Sequence, residues 1–399
     1  MQSPKALKVH FISNACEEGL LDTQRLKLLS KDAGFKCTNN VRQADFILFY
    51  ACGHLDMHDV ESAQIIERIN RLKKPSARLI VWGCLPKINP GAIQAIYDGP
   101  LLGPEEWDFF ADLFNQPRER TNLVFANALY PQVNSQVTFS SPHRIIDFTV
   151  DKLYSYTHKK WYIKIVSGCR NCCTYCSDRL AYRWSRDVPI ETILRQFELG
   201  LAANYMHFEF VGRDLGCYGH DIGLTLADLL NKIAETYPDN KYKISINNVS
   251  PNSLIALYPK LDKKLLSKRI FEIGSHIQSG SERILKQMGK TFNLDDWEKT
   301  IQDIDKNYPS IRILTSIMLG FPGETEDDFK KTMNLLSHSY FDRINWYIYC
   351  ERPNLPSLKL KDRVPEVTKM RRMKEAKNLA KDYTRRKRIK RIRMRYLRT

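Results

Sequence analysis

No stretch of the 399 residues approaches the roughly 18 consecutive apolar residues that a membrane-spanning helix needs, so no membrane contact is expected. Met1 to Lys8 lacks a charged segment leading into an apolar one, which argues against a secretory signal. Acidic residues are scarce at one end of the chain. From Lys359 to Thr399 there are eighteen Lys/Arg against four acids, and this segment carries +14 of the net +17. The ten cysteines also lack a spacing suited to separate disulfides, since Cys169, Cys172, Cys173 and Cys176 fall within eight residues. A cytoplasmic chain whose cysteines serve metal or redox chemistry is the expectation. Its length suits two or three domains with a substantial core.

What is present begins with that cysteine cluster. It follows the strand-like run Trp161-Tyr162-Ile163-Lys164-Ile165-Val166. Soft thiolates select zinc, copper(I) or iron–sulfur clusters. Cys169, Cys173 and Cys176 form a CxxxCxxC set with the aromatic Tyr175 just before the last cysteine. Iron–sulfur clusters ordinarily take four cysteines, so three in a strand-to-helix loop would leave one iron open to an exchangeable ligand. A structural zinc knuckle is the plainer alternative, and 169/172/176 is a second possible ligand set.

The N-terminal third holds three apolar runs, residues 7–16, 45–52 and 77–84, each ending in a cysteine. Helical patterns at 18–33 and 58–72 separate them, and this alternation predicts a doubly wound parallel sheet. Ligands bind such sheets outside the carboxyl ends of the strands. Cys16, Cys52 and Cys84 can therefore converge as a second three-thiol site; three buried apolar cysteines are the alternative. Cys37, at the start of a short strand, is expected to be structural. Trp107 to Asn115 reads as an amphipathic helix, and the polar, Pro-punctuated stretch from Pro131 to Pro142 as a linker.

From residue 159 the rhythm is again strand then helix. Strands are expected near 160–166, 207–212, 242–247, 270–277, 311–318 and 343–349. Helices are expected near 189–203, 224–236, 252–258, 281–289 and 325–337. Six repeats predict an open (β/α)6 partial TIM barrel, with chemistry at the C-terminal strand ends. The organisation read from the sequence is thus an α/β doubly wound domain (1–130), a linker (131–158), the partial barrel (159–358), and a basic C-terminal helix and tail (359–399).

Polar and glycine residues gather at those strand ends: Gly212 in Val211-Gly212-Arg213-Asp214, Asn247 in Ile246-Asn247-Asn248, the run His276 to Ser281, and Met318 to Thr325. Each alone fits turn geometry and helix capping, and Glu324 reads as a first-turn acid. Their common placement on one face points to a bound cofactor.

Together these segments resemble one family, the radical S-adenosylmethionine methylthiotransferases, over nearly the whole chain. Asn14-Ala15-Cys16 with Asp22, Ala51-Cys52 and Gly83-Cys84 resemble its three N-terminal cysteine motifs. Gly168 to Cys176 with Ser185-Arg186 resembles its core motif, in which Cys172 is a bystander. Gln278-Ser279-Gly280-Ser281 with Leu285-Lys286 and Met288 is similar to its QSGS segment. Gly320-Phe321-Pro322-Gly323-Glu324-Thr325 matches its GFPGET segment, and Arg352-Pro353 its motif after the last strand.

The resemblance implies two [4Fe-4S] clusters, one on Cys169, Cys173 and Cys176 and one on Cys16, Cys52 and Cys84. It also implies S-adenosyl-L-methionine and an external electron donor of flavodoxin or ferredoxin type. Tyr175, Arg186, Gly212, Asn247, Gln278, Ser279, Gly280 and Met318 are the implied cofactor-binding residues. In the family the first cluster generates a radical that abstracts hydrogen from an unactivated carbon, and the second carries the methylated sulfur to which the substrate couples. A cobalamin-dependent methylase also places an α/β domain before the barrel. The N-terminal domain here lacks an Asp-x-His-x-x-Gly cobalamin motif, and that reading leaves its cysteines without a role.

Three departures bear on the substrate. The family usually ends in a small β-barrel TRAM domain, for which the segment after the helix near 364–383 leaves no room. The stretch Ser177 to Arg186 is short and lacks the family's proline and Arg-Gly pair. Val211-Gly212-Arg213-Asp214 stands where Gly-Gln-Asn or Gly-Gln-Asp is usual.

The expected reaction is methylthiolation of an RNA base, an adenosine of tRNA, with the basic tail on phosphates. Tyr182, Trp184 and Tyr218 are aromatics that either stack on a splayed base or belong to the core. Methylthiolation of a peptide or protein carbon is the alternative, the tail then gripping an acidic partner. A non-catalytic iron–sulfur RNA-binding or sensor protein is a third reading.

Overall fold

The N-terminal apolar runs fold as strands buried on both faces, as parallel sheets require. These are β1 (Lys8–Ser13), β3 (Phe46–Tyr50) and β4 (Arg78–Trp82), joined at the edges by two-residue strands β2 (Lys36–Cys37) and β5 (Leu101–Leu102). The order β2-β1-β3-β4-β5 is doubly wound, and all four pairings are parallel. Side chains alternate between faces with the two-residue period of a strand. Leu48, Tyr50 and Trp82 join one core cluster with Leu26 and Leu29 of α1 (Glu17–Asp32) and Phe110 of α3 (Trp107–Leu113). Ile47, Phe49 and Val81 face the other, with Ile65, Ile66 and Ile69 of α2 (Asp56–Leu72). Cys37 ends β2 and pairs with Val9, a sheet-edge position.

The computed structural model describes residues 6–118, 160–182, 185–338 and 340–396, and the expected 131–158 linker lies outside them. The chain divides into two units, Met1–Lys164 with Ser177–Arg183, and Ile165–Cys176 with Trp184–Thr399. Among the described residues, no helix is long and apolar enough to cross a membrane.

The barrel strands are β6 (Lys160–Lys164), β9 (His207–Val211), β10 (Lys243–Val249), β11 (Ile270–Ser275), β12 (Arg312–Leu319) and β13 (Arg343–Ile348). A small antiparallel pair, β7 (Val166–Ser167) and β8 (Arg186–Asp187), precedes β9. The six form one sheet in the order β13-β12-β11-β10-β9-β6, with β9 through β13 paired in parallel. This is the open partial barrel expected. The helices between strands include α4 (Ile190–Ala202), α5 (Leu226–Thr236), α6 (Pro251–Leu257), α7 (Glu282–Gln287), α8 (Leu294–Asn307) and α9 (Glu326–Ser337).

The expected helices miss α8, although its signals are in the sequence. Asn293 caps it by accepting from the Asp296 amide, Asp295 and Asp296 occupy its first turn, and Trp297, Ile301 and Ile304 are its buried stripe. The last helix, α10 (Glu366–Tyr396), runs well past the expected end near 383. Lys387 supplies the tertiary reason: it is buried and its Nζ lies 3.1 Å from Asp305 and 3.2 Å from Asp342.

Candidate active site

Cys16, Cys52 and Cys84 follow the C-terminal ends of β1, β3 and β4, which are adjacent strands. Side chains fix the backbone that carries them. The Asn14 carboxamide accepts from the Cys52 amide at 2.8 Å, while its Nδ2 donates to Glu61 and Ser62 of α2. Gly83 has φ +110°, and a Cβ there would sit 2.8 Å from the Tyr50 ring, so only glycine carries the chain into Cys84. Cys84 Sγ lies 3.4 Å from the Tyr50 hydroxyl, and Cys52 Sγ lies 3.6 Å from His58 Nδ1. Sequence reasoning passed over His58, whose only signal is its place in the first turn of α2.

Asp22, on α1 one turn beyond Glu18, is buried. With Glu18 it receives the Lys164 ammonium, at 3.1 Å and 2.9 Å respectively. Burial alone would lower the lysine's pKa, but these two carboxylates hold it above the ordinary value.

In the second unit, Cys169, Cys173 and Cys176 occupy the loop after β7. The C-terminal end of α7 holds this loop: the Thr174 amide donates to Met288 O and its hydroxyl to Gln287 O, both at 2.9 Å. Asn171 donates to Cys169 Sγ from its amide and its side chain, at 3.4 and 3.3 Å. A hydrogen bond from Cys217 is the main cause that keeps the Cys169 thiol below its ordinary pKa. Burial pushes the Cys173 thiol and the Tyr175 phenol up. The Tyr175 ring packs edge-on against Phe321.

A single zinc ion draws its thiolates to about 2.3 Å from one centre, whereas a polynuclear cluster keeps them farther apart. Among the described residues, Cys169, Asp214 and Cys217 form the one set of three ligating atoms mutually within 4.8 Å. Neither three-cysteine set closes so tightly among the described residues.

The barrel's strand ends carry the other expected residues. Gln278 has φ +77°, a strained conformation for a non-glycine that costs of order 1–3 kcal/mol and is typical of functional positions. Its amide donates to Ser316 O and its carbonyl accepts from the Met318 amide, which fixes Met318 beside it. Gln278 Oε1 and Asn247 Oδ1 are both buried and have no hydrogen-bond partner among the described residues. Such orphaned acceptors fit the ammonium or hydroxyl groups of a bound S-adenosylmethionine. Gly212 lets β9 approach β7, since a Cβ there would lie 2.7 Å from Val166 O.

Ser279 and Gly280 face α9, the Gly280 amide donating to Thr332 Oγ1 at 2.9 Å and the Ser279 hydroxyl lying 3.3 Å from it. Arg186 is exposed and pairs in register with Ser167.

A chain of hydrogen bonds not foreseen from the sequence crosses this face. Ser316 Oγ meets His276 Nδ1 at 2.8 Å, His276 Nε2 meets Asn248 Oδ1 at 3.1 Å, and Asn248 Nδ2 donates to Gly212 O at 3.0 Å. It ties the ends of four successive strands, β12 to β9. Burial and the nearby Lys290 push the histidine's pKa down to about 4, so the ring is neutral and can donate and accept at once.

One expectation fails, and one open alternative closes. Glu324 is not a first-turn acid, because Thr325 is the cap of α9 and the first-turn acids are Glu326, Asp327 and Asp328. Glu324 is buried instead, accepting from the Gly320 amide at 2.8 Å and from Arg372 of α10 at 2.7 Å. Tyr182 and Tyr218 are buried as well, so neither offers a face to an RNA base; Trp184 lies outside the described residues.

Comparisons with known proteins follow the same division. Residues 163–336 match the radical SAM superfamily, and residues 8–99 match Uncharacterized protein family UPF0004. The chain is 29% identical to threonylcarbamoyladenosine tRNA methylthiotransferase MtaB of Thermotoga maritima, over 85% of this chain and 74% of that protein. It is 26% identical to tRNA-2-methylthio-N(6)-dimethylallyladenosine synthase of Fervidobacterium nodosum, over 94% and 83%. It is 25% identical to ribosomal protein uS12 methylthiotransferase RimO of Chlamydia pneumoniae, over 92% and 76%. Among solved structures, the radical S-adenosylmethionine methyltransferase TsrM from Kitasatospora setae superposes with a TM-score of 0.61. That match has 12% identity and covers 88% of this chain and 75% of TsrM, a likeness of fold alone.

Proposed function

Because the chain belongs to the radical S-adenosylmethionine methylthiotransferase family, we propose that it inserts a methylthio group at an unactivated C–H of an RNA base, an adenosine of tRNA. It is an enzyme, which removes the non-catalytic sensor reading. Membership brings S-adenosyl-L-methionine and a [4Fe-4S] cluster, for which Cys169, Cys173 and Cys176 are the proposed ligands. Cys16, Cys52 and Cys84 are proposed to hold a second cluster. Bound there, these groups supply the hydrogen-abstracting radical and the methylated sulfur.

The observation that carries the reading is the pair of three-cysteine sets, each at C-terminal strand ends in its own unit. The protein's own residues then have definable tasks. Asn14 and Gly83 hold the N-terminal thiols in place. Asn171 supplies N–H groups that stabilise the Cys169 thiolate. Gln278 and Asn247 present acceptors to the cofactor, with Tyr175, Arg186, Gly212, Ser279, Gly280 and Met318 as further proposed contacts. An electron donor of flavodoxin or ferredoxin type would serve the barrel cluster, and the cytoplasm, where tRNA is found, is the proposed location.

RNA is favoured by the first relatives' names and by the basic face of α10, where Lys374, Lys377 and Lys381 are exposed at helical spacing. The likeness to a ribosomal-protein methylthiotransferase supports a second reading, with a protein or peptide as acceptor. Nucleoside mass spectrometry of tRNA from cells with and without the gene separates them. Loss of a methylthioadenosine in the deletion strain is the expected result. An unchanged profile, with no second enzyme masking the loss, would transfer the proposal to a protein or peptide substrate.

A further inference from the structure

Asp214 and Cys217 lie outside both three-cysteine sets, yet they surround Cys169. The two sulfur atoms and a carboxylate oxygen all fall within 4.8 Å of one another. We infer that Cys169, Asp214 and Cys217 form a binding site for a single thiophilic divalent cation of the zinc type, filled when the chain carries no cluster.

The donor set is right for such an ion. Two thiolates and one carboxylate match the borderline softness of zinc, and three protein ligands leave a fourth tetrahedral position for water. The surroundings are already arranged as an outer shell. Asp214 Oδ1 accepts from the Gly216 and Ser250 amides, both at 3.0 Å, which locks the carboxylate and leaves Oδ2 on the side of the sulfurs. Oδ2 takes the Asn171 Nδ2 at 2.6 Å and the Cys217 thiol at 3.4 Å. Cys217 Sγ accepts from the Arg170 amide at 3.4 Å, and Cys169 Sγ from both Asn171 donors. Outer partners of this kind orient ligands before the ion arrives and spread its charge afterwards. Asp214 and Cys217 are buried, while Cys169 is half-buried and gives the ion a way in.

Binding is an exchange of protons for metal. The ion binds the thiolate forms of Cys169 and Cys217, and any thiol proton still present on either sulfur leaves as it binds. Cys169 cannot serve this ion and a cluster together, so occupancy would exclude assembly on Cys169, Cys173 and Cys176. That consequence, unlike the site, rests on the cluster assignment proposed above.

Cobalt(II) is the probe, titrated anaerobically into the full chain prepared without iron and followed by thiolate-to-metal charge transfer and d–d absorption. Cys16, Cys52 and Cys84 contribute equally to every sample, so the readout is a difference between variants. The unmodified chain and Cys173→Ala should bind the same number of tight equivalents. Cys217→Ser should bind one fewer, or bind that one at least about 100-fold more weakly, since losing a ligand exceeds the 10–100-fold cost of losing an outer partner. If Cys217→Ser fails to fold, Cys217→His keeps a ligand and should restore the equivalent with one thiolate fewer. Equal titrations for Cys217→Ser and the unmodified chain would overturn the site. So would loss of the same equivalent in Cys173→Ala, which would place the metal on the cluster cysteines.

Discussion

Asp328 shows how much one buried side chain organises. It sits in the first turn of α9 and accepts from the Thr325 amide at 2.9 Å, the Thr325 hydroxyl at 2.7 Å and the Ser281 hydroxyl at 2.6 Å, and it pairs with Arg283. The segment before α9 and the one before α7 are thereby joined through one carboxylate. Burial alone would raise its pKa, but the Arg283, Ser281 and Thr325 hydrogen bonds outweigh that and hold it below the ordinary range. A depressed carboxylate stabilises the fold above its unfolded value of about 4, and the contribution is lost as pH falls through the folded value. Asp328→Asn should therefore cost about 2–4 kcal/mol of unfolding free energy at pH 7. The gap should begin to narrow as pH falls below about 4, where the unfolded carboxylate takes up its proton, and keep narrowing below that. Denaturant curves from pH 7 to 2.5 measure both; a gap independent of pH would refute the charged role.

Helix α10 divides its basic residues between two uses. Arg372 and Lys387 are buried and paired with Glu324 and with Asp305 and Asp342, and Arg371 pairs with Glu326. The two buried charges, Arg372 and Lys387, hold the helix to the barrel and are not available to a polyanion. Removing one partner of a buried pair costs about 3–5 kcal/mol, so cutting the chain after Asp382 would remove Lys387 and confound stability with binding. The discriminating variant is Lys374→Gln/Lys377→Gln/Lys381→Gln, on the exposed face. It should leave the unfolding midpoint nearly unchanged and weaken tRNA binding. The slope of log affinity against log salt should become shallower by up to about 2–3, one phosphate contact being worth roughly 0.9. An unaltered slope would show that this face does not touch the backbone of the RNA.

For the whole molecule, each three-cysteine set belongs to a separate unit, so their losses should separate as well. Replacing Cys169, Cys173 and Cys176 with Ala should lower iron from about eight to about four per chain and abolish 5′-deoxyadenosine formation. Cys52→Ala should retain that product and end methylthio transfer. Methylthio product from Cys52→Ala would remove Cys52 from the sulfur-carrying role. The sequence by itself determined the three central strands of the N-terminal sheet, with the cysteines that follow them, and the six barrel strands, because two-sided burial forces apolar runs and parallel crossovers force helices between them. It also carried the signals for α8. Only the tertiary structure decided what depends on residues far apart in the chain: the burial of Tyr182 and Tyr218, the pairing of Glu324 with Arg372 across 48 positions, and the meeting of Cys169 with Asp214 and Cys217. Local pattern records which face of an element is apolar. It holds no record of which distant side chain arrives there, since long-range contacts are fixed by the packing of whole elements.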